Sequence, residues 1–537
     1  MQLIKDASAD KLRGGFYTPK PITDFMVKWG LSGMDKPSIL EPSCGDGAFL
    51  KAFKPYENQY KSITAIELDK VEAQKARSFD LKNSEVQNQE FHQYCNTSKE
   101  RFDLVLGNPP YIRYQYFDKN QQKEAAEIYN QVNVKYSKLS NAWVSFVVGG
   151  SLLLKEKGRL GFVVPAELLQ VSYAKPLRQF LASFYNSVII VSFKQLVFPS
   201  IQQEVILLLC EKDGSSQHNI NHIEVKDASE LVSLDLSKLR KGYKNLDITA
   251  NKWTYYFLTQ KEINFLKTVQ QKYNLKTIGD YADVEVGITT GANSFFTVEQ
   301  KVVEGYELTP FARPMVGRSV QVGGAIFTKK DWSNNLLLGA KANLLVFPKN
   351  GELKKYDGAL KYINYGESQD IHQGYKCRIR DVWYVVPSLW IPDGLFIRRN
   401  NRFPRLIVND AEAYTTDTMH RVRLKENTNI QALSASFYNS LSFAFAEISG
   451  RSYGGGVLEL MPKEVQNILI PYKEENQQYL KKIDVFLRKN KDATVLLKFT
   501  NQVLLKEQFG FSQSDINLID SIWKKLSNRR LNRGKKI

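Results

Sequence analysis

The stretch ILEPSCGDGAFL, Ile39 to Leu50, contains a strand end, a turn and a helix start in close succession. An aliphatic pair closes a buried strand, an acidic glycine-rich turn follows, and Ala48-Phe49-Leu50 opens a helix. Gly45 and Gly47 let the backbone turn sharply and approach a ligand with no Cβ in the way. Outward from this corner the first half of the chain repeats the alternation. SITAIELD, FDLVLGNPP, GRLGFVVP, NSVIIVSF and EVILLLC have strand length and β-branched or aliphatic content, while PITDFMVKWGL and NAWVSFVVGGSLLLKEKG have helical patterns. Such alternation predicts a doubly wound, mostly parallel α/β sheet of Rossmann-like type. The last two strands are joined only by KQLVFPSIQQ, too short for a crossover helix, and are expected as an antiparallel pair at the sheet edge.

The character changes near Asp235. LDLSKLRKGYKNLDITANKW is polar and basic and reads as a linker. Short strands, glycine-rich turns and aromatic segments follow, and the end reads as helical, closing on KKLSNRRLNRGKKI. The expected division is residues 1–240, an α+β domain over 241–475, and a basic helical segment over 476–537.

A chain of 537 residues with 74 Lys and Arg against 56 Asp and Glu, net charge +18, suits a polyanionic partner, most simply nucleic acid. A generally basic surface without such a partner is the plain alternative. Cys44, Cys95, Cys210 and Cys377 are far apart and form no C-x-x-C pair, which argues against a zinc site or a disulfide framework and for a reducing compartment. The start carries no apolar signal core, and the longest apolar run, Ala142 to Leu154, is too short to span a bilayer. The expectation is a soluble cytoplasmic protein without a membrane or metal partner.

In open parallel sheets ligands collect at the carboxyl ends of strands, near the point where strand order reverses. Neither G-x-x-x-x-G-K-[ST] nor G-x-G-x-x-G is present. Glu41 and Asp46 would repel a pyrophosphate, so the turn suits a cofactor with a positive or amino group. Glu67 ends the next strand, where a carboxylate can accept from both hydroxyls of a ribose. Asp69, two residues on, reads equally well as a helix cap. Glu90 with Phe91 offers a carboxylate for an adenine amino group and a ring to stack on it, or simply a loop acid beside a packed aromatic.

The strand of FDLVLGNPPY ends on Asn108, Pro109, Pro110 and Tyr111. The prolines fix φ and cannot donate to a ladder, so the turn is rigid. The Asn108 side-chain oxygen and the Pro109 carbonyl can then converge on a planar –NH2 with two protons to give, and that pull localises the nitrogen lone pair. Tyr111 follows at once, placed to stack on a planar heterocycle.

In this order, FYTPKPITDFMV, ILEPSCGDGAFL, AIELD, NPPY, NAWVSFVVGGSLLLKEKGRLGFVVP and VFPSIQQEVILLL resemble the S-adenosylmethionine-dependent DNA adenine-N6 methyltransferases of the gamma arrangement, the TaqI type. The resemblance covers Phe16 to Cys210, and GGGVLELMPKEVQNILIP (454–471) resembles a closing segment of their target-recognition domains. It implies a class I methyltransferase domain with a mixed seven-stranded sheet, S-adenosylmethionine as cofactor and double-stranded DNA as substrate. It also implies a place in a restriction-modification system, with or without a separate cognate endonuclease as partner; a one-base reaction needs only one copy of the enzyme, so a monomer is the expectation.

Carried over residue by residue, the resemblance implies that Thr18, Glu41, Cys44, Gly45 and Gly47 surround the methionine part of the cofactor. Glu67 takes its ribose, Glu90 and Phe91 its adenine, and Pro110 lies beside it. The family usually has Asp where this chain has Glu90. Asn108 and Pro109 bind the target amine, Tyr111 stacks on the flipped base, and Phe198 faces its other side. An aromatic before a proline between two strands is also an ordinary core residue, and Phe198 carries that reading too.

Cytosine-C5 transfer needs a Pro-Cys nucleophile, and the chain has no Pro-Cys dipeptide. RNA adenine or guanine methylation, a fused restriction-modification protein and a DNA-binding subunit are the competing readings. A release-factor glutamine methyltransferase would need no basic second half.

Overall fold

The computed structural model describes residues 18–113, 116–134, 141–198, 204–349, 351–453, 455–489 and 492–533. Tyr17 of the YTP motif, residues 199–203 of the VFP segment, Gly454 and the last four basic-tail residues lie outside them. The chain divides into two compact units, 1–263 with 532–537, and 264–531.

The first unit is built on a sheet that has nine strands among the described residues. In chain order they are β1 (Ser38–Glu41), β2 (Ser62–Glu67), β3 (Ser84–Asn88), β4 (Phe102–Gly107), β5 (Leu154–Pro165), β6 (Ser187–Phe193), β7 (Val205–Glu211), β8 (Asn219–Val225) and β9 (Lys244–Asn245). Their order across the sheet is β3-β2-β1-β4-β5-β7-β6-β8-β9. From β3 to β5 every pairing is parallel, and β7 runs antiparallel to both its neighbours. Strand order reverses between β1 and β4, the position where open sheets leave a crevice for a ligand.

Helix α1 (Lys20–Leu31) has Pro21 in its first turn, where a missing N–H costs nothing, and buries Ile22, Phe25, Met26 and Trp29. Helices α2 (Ala48–Phe53), α3 (Lys70–Arg77), α4 (Phe91–Thr97), α5 (Lys119–Gln131), α6 (Ala142–Leu152) and α7 (Lys175–Phe184) supply the remaining crossovers and cover. Helix α6 is apolar on nearly every side and is buried accordingly. Gly149 on α6 lets Phe91 and Cys95 come close: a Cβ there would stand 3.1 Å from each.

Three expectations are corrected. The sheet gains β8 and β9 beyond seven strands. NINHIEV reads as polar, yet Asn221 donates to the carbonyls of Leu239 and Lys241, and His222 pairs with Ser192, which lets these two polar side chains lie within a strand. β6 and β7 are antiparallel as expected but lie inside the sheet, not at its edge. Every residue of both is buried, because β7 enters between β5 and β6 and β8 covers the far side of β6. The segment 234–253 is not a linker: Leu239, Leu246 and Trp253 are buried, and Trp253 N–H donates to the Leu169 carbonyl. The first unit therefore extends beyond residue 240.

The second unit carries a five-stranded sheet of β10 (Ala282–Val286), β11 (Ile326–Phe327), β12 (Gly394–Ile397), β13 (Leu406–Asn409) and β14 (Met419–Leu424), in the order β10-β14-β12-β13-β11. Helices α8 (Ile430–Phe437) and α9 (Ser440–Ser449) are almost wholly buried. The segment expected to stand apart from residue 476 instead packs back. Asn476 donates to Ser436 of α8, and Asn501 donates to Ser440 of α9. Helix α10 (Gln513–Leu531) buries Ile519, Ile522 and Trp523, the last beside Phe443 of α9. No helix among the described residues is long and apolar enough to cross a membrane.

Candidate active site

The carboxyl ends of β1, β2 and β4 bring most of the predicted residues to one place. After β1 the chain turns through Cys44, whose N–H donates to the Ile66 carbonyl, and Gly47 N–H closes the turn on the Cys44 carbonyl. Gly45 has φ 54° and Gly47 φ 85°, the left-handed region that glycine enters without penalty. A Cβ on Gly47 would meet Phe79 at 2.6 Å, so its absence is a packing requirement. A Cβ on Gly45 would meet nothing within 4 Å, and the turn is open on that side.

Glu67 closes this turn from β2. Its carboxylate accepts from Gly45 N–H and Asp69 N–H, each at 2.8 Å. Burial raises its pKa, partly offset by those two donors. Asp69 caps α3, accepting from the N–H groups of Val71 and Glu72. Glu41 lies deeper, 1% exposed, and its Oε2 has no hydrogen-bond partner. Burial first, then the charges of Glu67 and Asp46, push its pKa well above the usual carboxylate range. Burial likewise raises Asp46 and the Cys44 thiol, which is thereby no nucleophile.

Asn108 stands at the end of β4, and hydrogen bonds tie it to the rest of the site. Its Nδ2 donates to Thr18 Oγ1 at 3.2 Å, and its backbone carbonyl accepts from Ser43 Oγ at 3.3 Å. Ser43 belongs to the glycine-rich turn, so the two motifs are joined directly. The Tyr111 hydroxyl donates to Asn108 Oδ1 at 3.0 Å and is also 3.1 Å from the Val163 carbonyl of β5. Burial raises the Tyr111 pKa, so the phenol stays protonated and remains a donor. Pro109 is buried and Pro110 half-buried. Phe198 is buried in the hydrophobic cluster against which the Tyr111 ring packs.

Glu90 and Phe91 are placed differently from the cofactor role. Glu90 caps α4 through Gln93 N–H at 2.9 Å, and its other oxygen lies 2.5 Å from His92 Nδ1, whose Nε2 meets Ser145 Oγ at 2.7 Å. The Phe91 ring is 2% exposed, stacked 4.6 Å from Phe146 and closed in by Gly149. It has no open face for a heterocycle. Glu90 thus has a helix-capping role and Phe91 a packing role in this fold. Ser43 is the residue that sequence reading missed. Its hydroxyl carried no signal beyond its place in EPSCG.

A model of the Eco57I restriction-modification methylase matches residues 28–198, and one of the C-terminal domain of the type II methyltransferase M.Eco57I matches residues 250–505. Between them the two matches make most of the chain similar to type II restriction-modification methyltransferases. It is 24% identical to the type II methyltransferase M.AccI of Acinetobacter calcoaceticus over 473 residues, 84% of each chain. It is 27% identical to M.HindII of Haemophilus influenzae over 53% of this chain and 55% of that one. With M.HincII of Haemophilus influenzae the identity is 30% over 43% of each. The first match lies within the first unit, and the second, which begins at residue 250, falls almost wholly in the second unit.

The residues present suit the cofactor that the resemblance implied. Glu41 is a buried carboxylate with an unpartnered oxygen, and the turn is open at Gly45; both suit a ligand carrying an ammonium or sulfonium charge.

Proposed function

We propose that this chain transfers a methyl group from S-adenosylmethionine to the N6 amino group of an adenine in duplex DNA, as the modification enzyme of a restriction-modification system. The observation that carries the reading is the pair of bonds from Asn108 to Thr18 and Ser43, which couple an amine acceptor to the glycine-rich turn at the point of strand reversal.

When bound, the cofactor supplies a methyl already activated on sulfur. Glu41 and the Cys44–Gly47 turn would hold its charged amino-acid part, with Thr18 alongside and Pro110 at the rim. Glu67 would hold its ribose while keeping Gly45 and Asp69 in place. Asn108 Oδ1 and the Pro109 carbonyl would accept the two N–H bonds of the target amine and sharpen its lone pair. Oδ1 already takes the Tyr111 hydroxyl, but an amide oxygen has two lone pairs and can accept the amine beside it. Tyr111 and Phe198 would pack on the base once it has left the duplex, which costs a few kcal/mol.

The test is label transfer from methyl-tritiated S-adenosylmethionine to unmethylated duplex DNA, with nucleoside analysis of the digest. N6-methyladenine is expected. N4-methylcytosine would retain the site and change the base, whereas label in RNA or protein alone would overturn the role given to the second unit.

A further inference from the structure

The run Arg398-Arg399-Asn400-Asn401-Arg402 mixes the two side-chain types best suited to base edges, and the structure sorts it residue by residue. Arg399 and Asn400 pair with Leu458 and Glu459 in a three-stranded sheet, whose other strand is Arg451–Tyr453. Arg398 turns inward, bonding Glu459 and the Asp417 carbonyl, and Asn400 is buried with its amide on the Ile397 carbonyl. Arg399 is 68% exposed, tethered through Nε to the same Glu459. Asn401 and Arg402 are exposed.

Behind this loop lies Arg530 of α10, a guanidinium only 2% exposed, paired with Glu447 of α9, 3% exposed. Its Nε and one Nη2 bond reach the two Glu447 oxygens at 2.9 and 2.6 Å. Its remaining donors go to backbone: the carbonyls of Asn401 and Arg402, and the Gly456 carbonyl at 2.5 Å. All five N–H donors are thus used, three of them on two separate loops. A buried ion pair of this kind adds little net stability over an apolar substitute, but it fixes geometry. Here it fixes the successive peptides that carry the two outward side chains, and the turn at Gly456 (φ 74°) next to them.

We propose that Asn401 and Arg402 are base-reading side chains of the second unit on duplex DNA, and that Arg530 is the residue that positions them. The inference rests on the DNA-methyltransferase reading and narrows it to named specificity residues. Asn is suited to the adenine N6/N7 edge and Arg to the guanine O6/N7 edge in the major groove.

The experiment methylates a random-sequence duplex library with the full-length protein and reads the modified sites by sequencing, for wild type, Asn401→Ala, Arg402→Ala and Arg530→Lys. Each alanine variant should lose preference at a defined position of the site by about ten-fold or more, while its affinity for S-adenosylhomocysteine is unchanged. Arg530→Lys keeps the charge beside Glu447 but not the fork. It should blur the same positions and raise KM for duplex, while binding of S-adenosylhomocysteine stays as in wild type. The alanine substitutions are at exposed positions, so they report even where the lysine variant folds poorly. Unchanged site preference in both alanine variants would overturn the proposal, and so would uniform weakening, the mark of phosphate contacts. No methylated duplex from wild type would overturn the underlying reading instead.

Discussion

Replacing Glu41 by Gln should stabilise the unliganded protein and weaken cofactor binding together. In the unliganded fold the carboxylate is buried, one oxygen has no partner, and Glu67 and Asp46 repel it. An unsatisfied buried polar group costs about 1–3 kcal/mol, and more when charged. An amide of the same shape keeps the unsatisfied oxygen but sheds the charge, so a gain of about 1 kcal/mol is expected, a rise in Tm of about 2 °C. A hydrogen bond to a charged group contributes about 1.5–3 kcal/mol, so loss of the ammonium contact should weaken S-adenosylhomocysteine binding about 10- to 150-fold. The pH dependence has a definite sign. The folded-state pKa of Glu41 is raised, so the native state binds more protons than the unfolded one in a window that starts at the ordinary value of 4.5 and extends upward. Stability from this group is therefore present below that window and lost as pH rises through it. The Gln variant should lose that slope. Calorimetric titration with S-adenosylhomocysteine and thermal melts of the free protein across this range would measure both effects. A variant that is less stable yet binds the ligand normally would refute the reasoning, because Glu41 would then be a satisfied structural acid.

Asn108→Ala should remove methyl transfer by at least about a hundred-fold while cofactor affinity stays within a few-fold, read by single-turnover labelling beside calorimetry. Retained turnover would dismiss Asn108 as the amine acceptor. Tyr111→Phe keeps the ring and removes the hydroxyl from Asn108 Oδ1, so its rate should hold near wild type while Tyr111→Ala falls; a loss in both would make the hydroxyl itself essential. Gly47→Ala meets the Phe79 ring at a backbone φ of 85° and should destabilise by about 1–3 kcal/mol, visible in denaturant melts. A neutral result would mean that Phe79 yields freely.

The parallel half of the sheet and the turn at residues 41–47 were legible because buried parallel strands read as aliphatic runs and sharp turns demand glycine. Glu67 and Asn108 stand at the ends of β2 and β4, where the alternation of strands and helices puts them, while Thr18 lies just ahead of helix α1 and was marked only by its motif. What stayed hidden has a common physical cause. β8 carries polar residues whose partners, Ser192 and the carbonyls of Leu239 and Lys241, lie well away along the chain, and Glu90 looks the same in sequence whether it meets a ligand or caps a helix. The burial of Leu239 and Trp253 depends on the sheet beneath them, so the composition of 234–253 said linker. Ser43 and the Arg530 lock act through backbone carbonyls, which no side-chain pattern announces.

The placement of β7 between β5 and β6 has a consequence for how the chain is made. On a ribosome β5 and β6 emerge first, and each presents an unpaired, largely apolar edge until Val205–Glu211 arrives to join them. Such open edges are templates for aggregation. A nascent chain halted between residues 193 and 205 should be captured by chaperones or precipitate, whereas one released after Trp253, with β8, β9 and their cover in place, should fold as a soluble domain. The last strand to enter the centre of the sheet thus sets the shortest piece of this protein that can exist alone.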